Sequence, residues 1–193
     1  MESLRETGSL ADGTGADAPI FFFAPFVSGP MRVEPAWIDY NGHMNMAYYH
    51  VLFDRAVDEA FELVGFGPHY VEEREASFFT AEVHTIYKRE LTAQDITRTT
   101  LQLIDYDEKR IHYYMEIRHA EEGWVAATSE NLSLHVDMTT RKVMPFPDDI
   151  LGNLAVMKAA HGPLARPPSL GHIIGLHSAR ETARHKERGG TRH

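Results

Sequence analysis

Trp37-Ile38-Asp39-Tyr40-Asn41-Gly42-His43-Met44-Asn45-Met46-Ala47-Tyr48-Tyr49 sets a carboxylate, two amides and an imidazole at the alternating positions 39, 41, 43 and 45, directly ahead of a long amphipathic segment. Side chains two apart on an extended chain lean the same way, so an extended run would gather these four groups into one small volume. Asn41-Gly42 is a turn signal, because both residue types tolerate positive φ, and Asn45 is a good N-cap for a helix starting at Met46. The run therefore predicts a polar loop that hands straight into a helix N-terminus. Free amides and the positive end of the helix dipole there attract negative charge, including charge that develops on an ester or thioester oxygen. A carboxylate at Asp39 beside such donors points to hydrolysis. The plainer alternative is a capped turn with no chemistry, since Asp, Asn, Gly and His are common in any tight turn.

Outward from this run the periodicity organises the rest. From Met46 to about Val64, the apolar residues Met46, Tyr49, Phe53, Ala56, Val57, Ala60, Phe61 and Val64 recur at spacings of three and four, with Arg55, Asp58, Glu59 and Glu62 opposite. That is a helix with one buried stripe, ended by Gly65 and Gly67-Pro68. After a short connection the period drops to two. Phe79, Ala81, Val83, Tyr87 and Leu91 alternate with Phe78, Thr80, Glu82, His84, Lys88 and Glu90, which predicts a strand with one mainly apolar face and puts Glu82 and His84 on one side. Further strands follow over Ile96 to Tyr106, Ile111 to Arg118 and Trp124 to Asp137, with turns at Asp107-Glu108 and Glu122-Gly123. Asp148 to about Ala160 reads as a short helix with Ile150, Leu151 and Leu154 inward.

Residues 1–19 carry almost nothing to bury and are expected to be disordered, 20–162 form one domain, and 163–193 form a basic, flexible tail with six Lys and Arg against two Glu. The apolar run Ile20 to Phe26 is expected to cover a sheet edge or a partner surface. With 193 residues, 43% of them hydrophobic and 24% charged, the chain has ordinary one-domain composition. The absence of cysteine excludes a thiolate zinc site and a cysteine nucleophile, so any nucleophile is water, a hydroxyl or a carboxylate. A formal charge of -9 argues against nucleic acid or an anionic membrane as partner, and a cytoplasmic address is expected. His135 and Asp137 end a strand, where His135 falls on the side of Asn131 and Ser133 by alternation and reads as a histidine satisfied by hydrogen bonds; no two-His helical spacing and no Gly-x-Ser-x-Gly elbow occurs, so neither a metal nor a serine nucleophile is predicted.

Asp39 to Asn45 followed by Tyr48-Tyr49, then Glu82-Val83-His84, Asp107 to His112 and His135-Val136-Asp137, in that order, resembles the hotdog-fold acyl-CoA thioesterases. The likeness is to the 4-hydroxybenzoyl-CoA thioesterase-like group, in the branch that contains betainyl-CoA thioesterases, and spans about Met31 to Pro147. It implies an α+β hotdog fold, an antiparallel sheet wrapped around one long central helix, working without a cofactor on an acyl-CoA. It also implies a homodimer or dimer of dimers with the active site between subunits.

The resemblance makes Asp39 the catalytic carboxylate, as general base on water or as direct nucleophile, with Asn41 and His43 orienting water and thioester. Related plant acyl-carrier-protein thioesterases carry the same Asp-x-Asn-x-His spacing. Many members of the wider group have a second Asp near the position of Asn41, and another hotdog branch places a catalytic Glu on the central helix, where Asp54 is the nearest candidate here. Trp37, Tyr40, Asn45, Tyr48 and Tyr49 would surround the acyl group, aromatic faces suiting a quaternary ammonium or an aryl or acyl chain. Glu82 and His84 follow the family's Glu-x-His motif toward the substrate, and Lys109 and Arg110 would meet CoA phosphates. Two rival functions stand beside hydrolysis: a hotdog enoyl-CoA hydratase or dehydratase, whose Asp-x-Asn-Pro-x-His run this sequence lacks, and an acyl-CoA-binding dimer without turnover.

Overall fold

The computed structural model describes residues 22–176, so the segment 1–19 and the end of the tail lie outside the described residues. The fold is built on helix α1, Met46–Glu62, whose buried face carries Tyr49, Leu52, Phe53, Ala56, Val57, Ala60 and Phe61. Met46 does not join that stripe; it is 63% exposed at the helix start. Asn45 caps the helix, its side-chain oxygen accepting the Ala47 N–H at 3.0 Å. Phe61 anchors the packing, meeting Phe78 at 5.0 Å, Tyr113 at 5.2 Å and Phe66 at 6.2 Å between ring centroids. Rings at these tilted and edge-on separations add to the energy of burial.

One antiparallel sheet wraps this helix. Strands β1 (Phe26–Val27) and β2 (Met31–Arg32) pair with β4 (Ile96–Tyr106), which is followed across the sheet by β5 (Arg110–His119), β6 (Val125–Asp137) and β3 (Ala76–Tyr87). Only β4 to β6 form a meander; β3 crosses to the far side and becomes the other edge. Phe26, from the apolar N-terminal run, does cover a sheet edge, as the pairing of β1 with β4 requires.

The alternation expected for β3 holds only in its second half. The register with β6 slips between Thr80 and Glu82, making Ala81 a bulge that reverses the faces. Before it, Phe78 rather than Phe79 turns inward, against Phe61 and Phe66. After it, Val83 pairs with the inward Asn131, while Glu82 and His84 lie on the outer face. In β6 the polar series turns to the helix side: Asn131, Ser133 and His135 are buried, whereas Leu132 and Leu134 on the other face are only half-buried.

Two further helices close the core. The connection after α1 contains a helix that periodicity missed, α2 (Pro68–Arg74), and the C-terminal helix α3 spans Asp148–His161 with Ile150, Leu154, Met157 and His161 buried. Arg74 ties α2 to α3 through Asp149, with Nη2 to Oδ2 at 2.6 Å. Tyr70 from α2 shares a 2.8 Å hydrogen bond with the buried His135, whose other ring nitrogen donates to the Pro145 carbonyl at 2.9 Å. Burial holds His135 below the ordinary imidazole range, consistent with a neutral ring satisfied at both nitrogens. Beyond residue 162 the chain continues over the outer face of the sheet, where Ser169 meets the Tyr114 hydroxyl and the Gly171 N–H donates to Glu130.

Candidate functional site

The decisive run folds as a closed turn, not as an extended strand. Ile38 and Met44 form a bridge, the Met44 N–H donates to the Leu91 carbonyl at 2.7 Å, and the loop between is shut by Asp39 N–H to His43 O and Gly42 N–H to Asp39 O. Gly42 takes the positive φ of +85° that the turn requires. The side chains at 39, 41, 43 and 45 therefore do not line up. Asp39 Oδ1 accepts the main-chain N–H of Asn41 at 2.8 Å, an Asx turn, while the Asn41 side chain is exposed. His43 faces away toward Glu90, with Nε2 at 3.8 Å from Oε1, because the Met44–Leu91 contact brings those segments together. Asn45 is spent as the cap: its side chain takes the Ala47 amide and its carbonyl the Tyr48 amide. The Met46 N–H, first of the helix, is not used by that cap.

The four aromatic candidates divide. Trp37 is 6% exposed and stacks on Tyr48 at 5.2 Å with an interplanar angle of 9°, and the Arg55 guanidinium lies 5.5 Å from its ring centroid. Tyr49 is buried, its hydroxyl accepting the Leu91 N–H at 3.2 Å and its ring edge-on to Tyr87. Tyr40 alone of the four stands 97% exposed.

Beside α1, between it and the inner faces of β3 and β6, runs a cleft of about 330 Å³ walled by His50, Asp54, Val83, Tyr113, Ser129 and Asn131 among others. It opens at β3, where Phe79, Val83 and Tyr87 are 39%, 40% and 42% exposed, an unusual amount of apolar surface on a strand with one edge unpaired. A second hollow of about 890 Å³ continues past Asp58 and Glu62 toward α2. Asp54, Asp58 and Glu62 stand one helical turn apart on this side. Burial first, then the charges of Asp54 and Glu62, raises the Asp58 carboxyl above the usual range.

The sheet's outer face carries Glu82 and His84, so these two stand across the sheet from α1. They line a groove of about 420 Å³ with His112, Glu130, Arg110 and His172. His84 stacks on His172 at 5.4 Å, and His112 pairs with Glu130 at 2.9 Å. The cations expected to meet CoA are already engaged: Arg110 Nη2 lies 2.6 Å from Asp107 and Lys109 Nζ 3.1 Å from Glu108. Sequence reasoning passed over Ser129 and Asn131, because their inward direction follows from strand register and not from composition. Among the described residues no group of three or more His, Asp or Glu is placed to hold a metal ion, and no helix is long and apolar enough to cross a membrane.

Comparison with known proteins adds to this geometry. The profile of the thioesterase-like superfamily matches residues 33–154. Over 153 residues the chain is 37% identical to an L-carnitine dehydrogenase/betainyl-CoA thioesterase of Rhizobium meliloti (strain 1021), covering 77% of this chain but 31% of the relative, so it spans less than a third of that protein. It is 31% identical to the betainyl-CoA thioesterase of Pseudomonas aeruginosa PAO1, covering 75% of this chain and 91% of the relative. Among solved structures, a hypothetical protein of Staphylococcus aureus in complex with CoA superimposes with a TM-score of 0.74 at 28% identity, covering 82% of this chain and 99% of the other. A 1,4-dihydroxy-2-naphthoyl-CoA thioesterase from Synechocystis shares the fold alone, with a TM-score of 0.61 at 14% identity, covering 68% and 96%.

Proposed function

Because this chain belongs to the thioesterase-like superfamily and has its hotdog fold, we propose that it hydrolyses an acyl-CoA thioester to the free acid and CoA, with Asp39 as the working carboxylate. The observation that carries this reading is the placement of Asp39: half-buried, on a closed turn at the N-terminus of α1, with one oxygen fixed by the Asn41 amide. That bond orients the carboxylate and leaves Oδ2 for water. Asp39 removes a proton as the water attacks the thioester carbon and the C–S bond then breaks, the departing CoA thiolate taking up the proton; or Asp39 attacks directly, expelling CoA thiolate to give an anhydride that water then opens to the free acid and the Asp39 carboxylate. The Met46 N–H and the helix dipole meet the oxygen that becomes negative. Asn41 is exposed on the same turn and is assigned to the attacking water; His43, turned to Glu90, acts by holding the loop.

The cleft beside α1 has no wall from the Asp39 turn, and His50 and Asp54 lie five and nine residues past the cap, about 7 to 14 Å along the axis. One chain thus separates the carboxylate from the hollow best placed to hold an acyl group. A second copy joined along the exposed β3 edge would bring its own Asp39 turn across that cleft and cover Phe79 and Val83. We therefore assign the chain to a homodimer with shared sites. With a CoA ester as substrate, the cytoplasm is the compartment we assign. The relatives named betainyl-CoA thioesterase make betainyl-CoA the first substrate to try.

The test is release of free CoA from aromatic, short-chain, long-chain and betainyl thioesters by the wild type and Asp39→Ala. Turnover lost in a folded variant supports the assignment. Turnover retained moves the role to Asp54, and binding without turnover in the wild type would favour an acyl-CoA-binding dimer.

A further inference from the structure

The chain after α3 is pinned to the outer face of the sheet on a course that leads to the free edge. Tyr114 of β5, Glu130 of β6 and His84 of β3 stand in one cross-strand row. Each of the three holds a residue of the C-terminal segment. The Tyr114 and Ser169 hydroxyls share a 2.5 Å hydrogen bond, the Gly171 N–H donates to Glu130 Oε2 at 2.6 Å, and His172 stacks on His84 with 5.4 Å between ring centroids and 4° between planes. Glu130 is steadied from the sheet by His112, whose Nε2 lies 2.9 Å from Oε1. Residues 169–172 thus form a turn, closed by the His172 N–H on the Ser169 carbonyl at 3.1 Å, that carries the chain from β5 over β6 to β3, the last strand of the sheet.

Past His172 the character of the segment changes. Ile173 and Ile174 are 66% and 80% exposed, and Leu176 is wholly exposed. Three large aliphatic side chains within four residues, held out from the body at one place, are a patch of the kind that marks a contact, unlike single apolar residues scattered over a surface. They follow directly from the contact with β3, the strand that also carries the exposed Phe79, Val83 and Tyr87. Two facts point to what covers them. Their own sheet is occupied at this row by residues 169–172, so folding back offers no vacant place there. The unpaired edge of β3, by contrast, has room for a neighbouring strand about 4.8 Å away, and an extended residue spans about 3.3 Å, so two residues beyond His172 suffice to reach a strand joined at that edge.

Resting on the homodimer proposed above, we propose that residues 173–176 are an arm that crosses the β3 edge and lays Ile173, Ile174 and Leu176 on the outer face of the second copy's sheet. His172 on His84 is the point from which the arm leaves its own chain. Two-fold symmetry makes the exchange reciprocal, each copy giving an arm and receiving one. The joint is then closed on the outer face of the sheet as well as on the cleft side.

The chain has no cysteine, so Ile174→Cys gives a single attachment point for a benzophenone maleimide. Isotope-labelled and unlabelled copies of this variant are mixed, allowed to exchange and irradiated, and the captured peptides are identified by mass. Cross-links that join a labelled to an unlabelled chain at β3 are expected. Cross-links confined to one chain, or none on β3, overturn the arm. Sedimentation supplies the second measurement. Burying one exposed Ile side chain is worth roughly a factor of ten or more in an association constant, so combining Ile173→Ser, Ile174→Ser and Leu176→Ser should raise the dissociation constant of the dimer at least tenfold with an unchanged circular dichroism spectrum. An unchanged constant overturns the arm while leaving the homodimer in place. A wild type that sediments as a monomer at micromolar concentration overturns the homodimer, and the arm with it.

Discussion

Two turns in this molecule are built on the same device and leave their carboxylates differently engaged. At Asp107 the carboxylate accepts the Lys109 and Arg110 amides at 2.9 and 2.8 Å and the Arg110 Nε at 2.7 Å. At Asp39 the carboxylate accepts one amide, that of Asn41 at 2.8 Å, and no cation approaches it among the described residues. The Arg110 hydrogen bond, helped by the two amides, holds the Asp107 carboxyl below the usual range and commits it to the turn between β4 and β5. An Asp that a turn saturates has no capacity left for a water. The difference lies in the second and third partners, and it separates a carboxylate committed to its turn from one with an oxygen left free.

The contrast can be broken most severely at the free β3 edge, where a second copy is proposed to join. Val83→Lys places a charge on the exposed β3 strand; the variant should run as a monomer in sedimentation, keep its circular dichroism, and lose at least a hundredfold in CoA release. A monomer of full activity would mean that the Asp39 turn needs no second chain. The next effect is at the cap that Asp39 leads into. Asn45→Ala removes the acceptor for the Ala47 amide and should cost about 1 kcal/mol in denaturant unfolding, with a several-fold fall in kcat because the helix start shifts. Smallest is the change at the committed turn. Asp107→Asn, on a side chain that is 40% exposed, should cost under about 1 kcal/mol at neutral pH.

The sign of its pH dependence follows from the lowered carboxyl. The stability Asp107 contributes is fully present above the unfolded carboxylate value, about 3.9. It is lost as the pH falls through the lower folded value. Thermal melts of Asp107→Asn should therefore lie below wild type at neutral pH and converge with it in strong acid. A gap that persists below pH 3 would contradict this.

Helix α1 was legible because three independent signals agreed: the spacing of apolar residues, the Asn45 cap and the glycines after it. Only Met46 was misplaced, since a first-turn residue can satisfy the spacing and still point to solvent. The phase of β3 was not legible. A bulge at Ala81 depends on which residues of β6 stand opposite, and a single strand carries no record of that. Helix α2 escaped for a similar reason: seven residues hold too few repeats, and its place is fixed by Tyr70 on His135 and Arg74 on Asp149.

At the site, the residue types were readable and their convergence was not. Asp39, Asn41 and His43 were marked by alternation, but Gly42 closes a turn in which alternation has no meaning, so His43 ends beside Glu90. Glu82 and His84 share a face as expected, and that face is the outer one. In β6 the polar residues Asn131, Ser133 and His135 alternate with Leu132, Leu134 and Val136. Which row turns inward is decided by packing against Phe61 and Phe66, and hydrophobicity alone favours the other answer. His135 was readable as a satisfied imidazole, and its bonds to Tyr70 and Pro145 agree.

The most direct test of the account sets the two turns against each other in one assay. The kcat for CoA release is measured for the wild type, Asp39→Asn and Asp107→Asn on whichever thioester the wild type turns over fastest. A general base contributes about 10²- to 10⁴-fold, so Asp39→Asn should fall by that factor with an unchanged melting temperature. Asp107→Asn should keep kcat within threefold. Equal effects in the two variants, or a folded Asp39→Asn with wild-type kcat, would contradict the assignment of Asp39.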